Sequence, residues 1–186
     1  LTQEAQPQSR PGQLDFDPAR PAVSYLNLAV RIIKDPRASF QAMPLAAGYG
    51  PPALFALISF LIPGLIVALV SQNFSAVPIY LMAMGSWLFV TLLIHVAATK
   101  LMAGRGPFQA TFRVSAYTSF TNLVGWLSVF GVSGAMFGLA ASLFGLYLTG
   151  QGLAVVHRLS LARAFLALGV VMGFFFILAG SLVRQS

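Results

Sequence analysis

The chain has no cysteine, and beyond Asp35 it has no carboxylate. The first absence removes disulfide frameworks, thiolate metal ligands and cysteine nucleophiles, and leaves the redox compartment open. The second removes more. Glu4, Asp15, Asp17 and Asp35 are the only acids in 186 residues, so neither general acid–base hydrolysis through a carboxylate nor two-carboxylate glycosidase chemistry can be assembled in the long remainder. Charge of either sign is scarce, at 8% of residues, and only two histidines could serve a metal. There is no phosphate-binding Gly-rich loop ending in Lys, no His-Glu-x-x-His pair and no Gly-x-Ser-x-Gly elbow. The expectation is a protein with no catalytic residue, no metal site and no cofactor.

What the chain does have is apolar length. At 58% hydrophobic residues and a mean hydropathy of +0.82 it lies outside the range of soluble domains. A bilayer core about 30 Å thick needs about 20 apolar residues at about 1.5 Å each. Five stretches qualify, at about 51–70, 78–101, 112–130, 134–156 and 161–183. The expected architecture is all-α: a five-helix transmembrane domain over residues 51–186, preceded by short amphipathic interfacial helices over 23–50 and a flexible tail over 1–22. The tail is rich in Pro and Gln, has no apolar core of the kind a signal peptide needs, and would order only against a partner.

Within 23–34, Tyr25, Leu28, Ala29, Ile32 and Ile33 recur at helical spacing, with Ser24, Asn27, Arg31 and Lys34 largely opposite. Asp35-Pro36 then reads as an N-cap and first helical residue of a second short helix. Pro63-Gly64 predicts a kink in the first span. Basic residues divide by side. Arg10, Arg20, Arg31, Lys34 and Arg37 precede the first span, Lys100, Arg105 and Arg113 lie between the second and third, and Arg158 and Arg163 between the fourth and fifth. The other side holds only Arg184. Positive charge is retained on the cytoplasmic side during insertion, so the N-terminus is expected inside and the C-terminus outside. A pI near 10.6 then points to anionic lipid headgroups on the cytoplasmic side, and to other membrane proteins, rather than to nucleic acid.

Three polar patterns stand out within the apolar segments. Thr91, His95 and Thr99 share a face with Trp87, which either lines a small cavity or hydrogen-bonds a neighbouring helix near the interface. Ser115, Tyr117, Thr118, Ser119, Thr121 and Asn122 make the third span more polar than lipid exposure favours, so it should face other helices. Gly134, Gly138, Ser142, Gly145, Thr149 and Gly152 form a small-residue seam that serves packing within the bundle or dimerisation. Gly104-Arg105-Gly106 could present amides and a guanidinium to a lipid phosphate, or be a flexible positive turn.

Read together, the loops carry a resemblance. Asp35-Pro36-Arg37 with Phe40, then Gly104-Arg105-Gly106-x-Phe108 with Thr111, Arg113 and Ala116-Tyr117, then Phe144-Gly145-Leu146-Tyr147 with His157-x-x-Ser160 and Arg163-Ala164, resemble three ordered blocks of the YIP family of Ypt-interacting membrane proteins. The likeness covers about residues 24–183 in the compact form typical of bacterial members, and the Asp-Leu-Tyr-Gly-Pro element of eukaryotic trafficking members has no counterpart. It implies a five-helix bundle without established catalysis and a role in membrane organisation or partner binding. The expectation is thus a non-enzymatic interaction or scaffold protein of the bacterial inner membrane, an accessory subunit of a larger complex. The alternative is a small transporter or lipid-handling protein using Pro63-Gly64 and the Thr91-His95-Thr99 stripe.

Overall fold

Local sequence sets each helix boundary. A computed structural model describes residues 14–45 and 47–183. Residues 1–13 of the tail and Arg184, the single cation expected on the far side, lie outside the described residues. Helix α1 (Pro21–Lys34) starts on proline and carries Arg31 and Lys34 in its last turn, where cations suit the helix dipole. Asp35 closes it with a backbone bond to the Arg31 carbonyl, and its carboxylate accepts the Ala38 amide at 3.0 Å to open α2 (Pro36–Gln41). Helix α3 (Gly50–Ser71) starts at a proline pair and stops at Gln72, whose φ of 52° turns the chain into the left-handed region. Helix α4 (Ala76–Val96) relaxes into a π turn, Ala97–Leu101, before the loop that leads to α5 (Phe108–Thr118). A 3-10 segment (Ser119–Phe130) follows, then Gly131 at φ 74°, α6 (Val132–Val156) and α7 (Leu161–Val183).

Four helical segments are long and apolar enough to cross a membrane: Gly50–Ser71, Val77–Leu101, Val132–Val156 and Leu161–Leu178. The span expected over 112–130 differs. It is not one apolar α-helix but α5 continued by 12 residues of 3-10 helix. Every residue from Ala110 to Thr118 is buried, including Thr111, Arg113, Ser115 and Thr118. These polar side chains would be costly against lipid, so α5 lies in the middle of the bundle with α3, α4 and α6 around it. At the switch to 3-10 geometry the hydroxyls of Ser119 and Thr121 bond the carbonyls of Ala116 and Thr118, capping groups the tighter ladder leaves free.

Helix α3 continues through Pro63, the position at which a kink is expected, and Gly64 serves close packing, since a Cβ there would lie 3.0 Å from the Cβ of Tyr80 on α4. One other expectation changes. The segment expected as tail up to residue 22 is anchored where it is described. Leu14 and Phe16 are buried, the Leu14 amide bonds the Ala42 carbonyl, and α1 begins at Pro21. Phe16 meets Phe55 edge-on, and Phe55 stacks on Tyr25, so the strap, α1 and α3 share one core.

Helix α1 has three faces. Tyr25, Leu28, Ala29 and Ile32 are buried on the bundle; Val23, Leu26, Val30 and Ile33 form an exposed apolar stripe; Ser24, Asn27, Arg31 and Lys34 make the polar remainder. Of the apolar residues grouped at helical spacing in the sequence, Ile33 is exposed while Tyr25, Leu28, Ala29 and Ile32 are buried.

Candidate functional site

The residues singled out in the loops converge at one end of the bundle, where the strap, α1, α2, the 102–107 loop and the 157–160 turn meet. They form two polar latches.

The first latch is built around Arg113, which is 1% exposed in the middle of α5. Its Nη1 donates to the Asp15 carboxylate at 2.6 Å and to the Tyr117 hydroxyl at 3.3 Å, and its Nη2 donates to the Gly48 carbonyl at 2.8 Å. Tyr117, one helical turn on, donates to the same Asp15 oxygen. This is the only ion pair among the described residues. It ties the strap and the α2–α3 connection to the central helix, so Arg113, counted among the cations between the second and third spans, is a buried and paired residue of α5.

The second latch is a chain of single hydrogen bonds. The Gly106 amide lies 3.1 Å from His157 Nδ1, His157 Nε2 lies 2.7 Å from Thr111 Oγ1, and Thr111 Oγ1 lies 2.9 Å from His95 Nδ1. A backbone amide can only donate, so His157 Nδ1 accepts, and in the neutral ring Nε2 carries the proton and donates to Thr111. The first bond thus fixes the His157 tautomer, and the Thr111–His95 bond extends the chain to α4. His157 is 1% exposed, and burial, with His95 beside it, pushes its imidazole down to about 4. The neutral form is the one this geometry needs. Glycine is required above it, because a Cβ on Gly106 would lie 2.5 Å from the Val156 carbonyl and one on Gly104 2.7 Å from the Ala98 carbonyl. The Gly104-Arg105-Gly106 loop is therefore a lid packed on an imidazole, with Arg105 pointing its exposed side chain away.

The other motif residues fall into place around the latches. Asp35 caps α2, Pro36 is its first residue, and Phe40 is fully buried against Gly152 of α6, where a Cβ would come within 3.1 Å of the ring. Phe108 sits edge-on to His95 at 5.4 Å between centroids and tilts against Phe112. Arg163 is exposed on the first turn of α7. Arg37 and Arg158 are exposed, and they line one surface cavity of about 460 Å³ with Gln41, Gln151 and Ser160. With Arg20, Arg31, Lys34, Lys100, Arg105 and Arg163 they give this end a basic surface, on which Asp17 and Asp35 are the exposed acids among the described residues.

The intramembrane stripe divides. His95 belongs to the second latch, Thr99 bonds back to the His95 carbonyl, and Thr91 is fully buried with its hydroxyl on the Trp87 carbonyl. The seam on α6 divides too. Gly145 receives Thr121, whose Oγ1 would lie 2.6 Å from an added Cβ, and Gly134 is buried, whereas Gly138 has nothing within 4 Å and Ser142 is exposed. Sequence reasoning missed Asp15 and the Gly48 carbonyl. A signal for the first existed: an arginine inside a polar-faced buried helix needs a carboxylate, and only four occur in the chain.

The Yip1 domain family matches residues 30–182, which takes in both latches except the strap. No curated protein matches, and neither does any solved structure. With most of its length matched and four apolar helices long enough to cross a bilayer, the chain is an integral membrane protein and belongs to the Yip1 domain family.

Proposed function

We propose that this protein is a non-enzymatic membrane interaction protein, an accessory or scaffold subunit that holds a basic cytoplasmic cap on a five-span bundle. One observation carries the reading. Each described carboxylate and both imidazoles are engaged in internal bonds: Asp15 to Arg113, Asp17 to the Ala19 amide, Asp35 to the Ala38 amide, and His95 and His157 to Thr111. The groups that general acid–base chemistry would use are committed to architecture. Surface remains uncovered instead, as the apolar stripe of α1 and the outer halves of α6 and α7, where Met136, Phe137, Phe176 and Ile177 are more than 60% exposed.

The fifth crossing is α5 with its 3-10 continuation, about 40 Å at rises of about 1.5 and 2.0 Å per residue, enough for a hydrocarbon core of about 30 Å. An odd number of crossings, with the exposed cations at the capped end, supports a cytoplasmic N-terminus and an outside C-terminus in a bacterial inner membrane. The Arg37–Arg158 cavity then meets anionic headgroups, and the three-faced α1 lies along the interface. Extraction from native membranes in a mild detergent should recover a stoichiometric membrane partner, lost on Gly138→Leu, where the seam faces open space. A lone monomer from both proteins contradicts the reading.

A second reading, as a lipid-handling protein, is favoured by one observation: Thr91 of the stripe lines a cavity between helices, together with other hydroxyl-bearing side chains such as Ser115 and Thr121.

A further inference from the structure

A cavity of about 310 Å³ lies between α4, α5 with its 3-10 continuation, α6 and α7. Its walls are unusual for a space surrounded by apolar helices, because most of its polar atoms are hydroxyls with their protons already committed. Thr91, Ser119, Thr121 and Ser142 donate to the carbonyls of Trp87, Ala116, Thr118 and Gly138, and Thr118 and Thr149 are bonded to each other at 3.0 Å, so that one of their protons lies between them and the other goes to a helix carbonyl, that of Val114 or of Gly145. A hydroxyl has one proton and two lone pairs, so each of these side chains can offer the cavity only acceptors. Ser115, 5% exposed on the same wall, has no hydrogen-bond partner for its hydroxyl among the described residues. A buried hydroxyl without a partner is costly, and a ligand that supplied one would recover that cost.

Charge narrows the ligand. No Lys, Arg, Asp, Glu or His lines the cavity, so a phosphate or an ammonium entering this low-dielectric space would find no counter-ion. Size and access narrow it further. The volume sits at the small end of ligand sites, roughly 300 Å³, too little for acyl chains. The exposed Ser142 at its rim, near the middle of α6, opens it sideways to the space occupied by lipid. We propose that this cavity binds the uncharged, hydroxyl-bearing headgroup of a neutral glycerolipid of the diacylglycerol class, with the acyl chains left in the bilayer. The glycerol hydroxyl donates to the ring of acceptors and accepts from Ser115. This names a ligand for the lipid-handling reading and rests on it; the scaffold reading is independent of it.

Trp87 lines the cavity, and Trp126 is the only other tryptophan. The full chain with Trp126→Phe, in nanodiscs of phosphatidylcholine, therefore reports on the site through Trp87 fluorescence. Chain-brominated diacylglycerol should quench it at a mole fraction at least three-fold lower than brominated phosphatidylcholine or phosphatidylglycerol. Trp87 also touches the outer surface through Leu88 and Phe89, so quenching by any lipid is expected and the preference is the readout. Ser115→Leu, which fills the cavity, should abolish the preference. Thr91→Val, nearly isosteric, should reduce it about two-fold with the melting temperature retained, so a folding failure of the first variant leaves the second to decide. A preference for either charged-headgroup lipid overturns the neutral ligand and leaves lipid handling standing. Equal quenching by all three lipids, unchanged in the variants, overturns both.

Discussion

The two ends of the bundle are built by different rules. At the capped end, Asp15, Arg113 and Tyr117 on one side and Gly106, His157, Thr111 and His95 on the other close directional bonds across five chain segments. At the other end, α6 and α7 present Val132, Met136, Phe137, Phe174, Phe176 and Ile177 outward. Water gives a protein a reason to bury apolar groups, but lipid does not, so a membrane bundle gains its definition from polar bonds and close small-residue contacts. The contrast shows why the family-like motifs gather at one end: there the chain must be specified residue by residue, while elsewhere apolar length suffices.

The largest effect should come from breaking the first latch. Asp15→Ala leaves a buried guanidinium uncompensated and should cost about 3 kcal/mol or more in thermal unfolding in nanodiscs. Asp15→Leu with Arg113→Met should recover part of the loss, because the pair is then replaced rather than broken. Failure of Asp15→Ala to destabilise would remove the strap from the account.

The glycines sharpen the contrast. Gly106→Ala forces a Cβ onto the Val156 carbonyl and His157, and should cost about 1–3 kcal/mol. Gly138→Ala, in open space, should stay within about 0.5 kcal/mol. Equal losses would mean that the two ends are not differently packed.

The second latch should respond to pH. His157 titrates at about 4 when folded and near 6.5 when unfolded, so between those values the unfolded chain binds more protons. Stability is complete above about 6.5 and is lost as pH falls toward 4, by about 2 kcal/mol at pH 5. Melting temperatures at pH 7.5 and 5 should show the loss in the parent chain and much less of it in His157→Gln. The smallest effect on stability is expected from Arg37→Gln with Arg158→Gln, which should leave melting unchanged and weaken retention by phosphatidylglycerol vesicles several-fold.

Much of this was legible in the sequence, and the exceptions are instructive. Four of the apolar stretches are helices long enough to span, because length and hydropathy are properties of a segment alone. The Asp35-Pro36 start of α2 was visible for the same reason. The α-to-3-10 switch after Thr118 was not, since it depends on how α5 is buried among α3, α4 and α6. Asp15 was hidden by its neighbours: Pro- and Gln-rich composition reads as tail, and only the need of Arg113, nearly 100 residues on, gives the carboxylate a place. His95 and His157 were each noted, but the threonine joining them belongs to a third helix, and no spacing along the chain reveals such a meeting.

The claim that Arg113 clamps the strap onto the bundle can be tested in a chain that has no cysteine of its own. The Leu14 amide bonds the Ala42 carbonyl at 3.1 Å, which brings the two backbones within disulfide reach. In isolated membranes under mild oxidation, Leu14→Cys with Ala42→Cys should cross-link nearly completely, and adding Arg113→Ala should cut the yield severalfold. A yield that is negligible at the start, or unaffected by the loss of Arg113, would contradict the account.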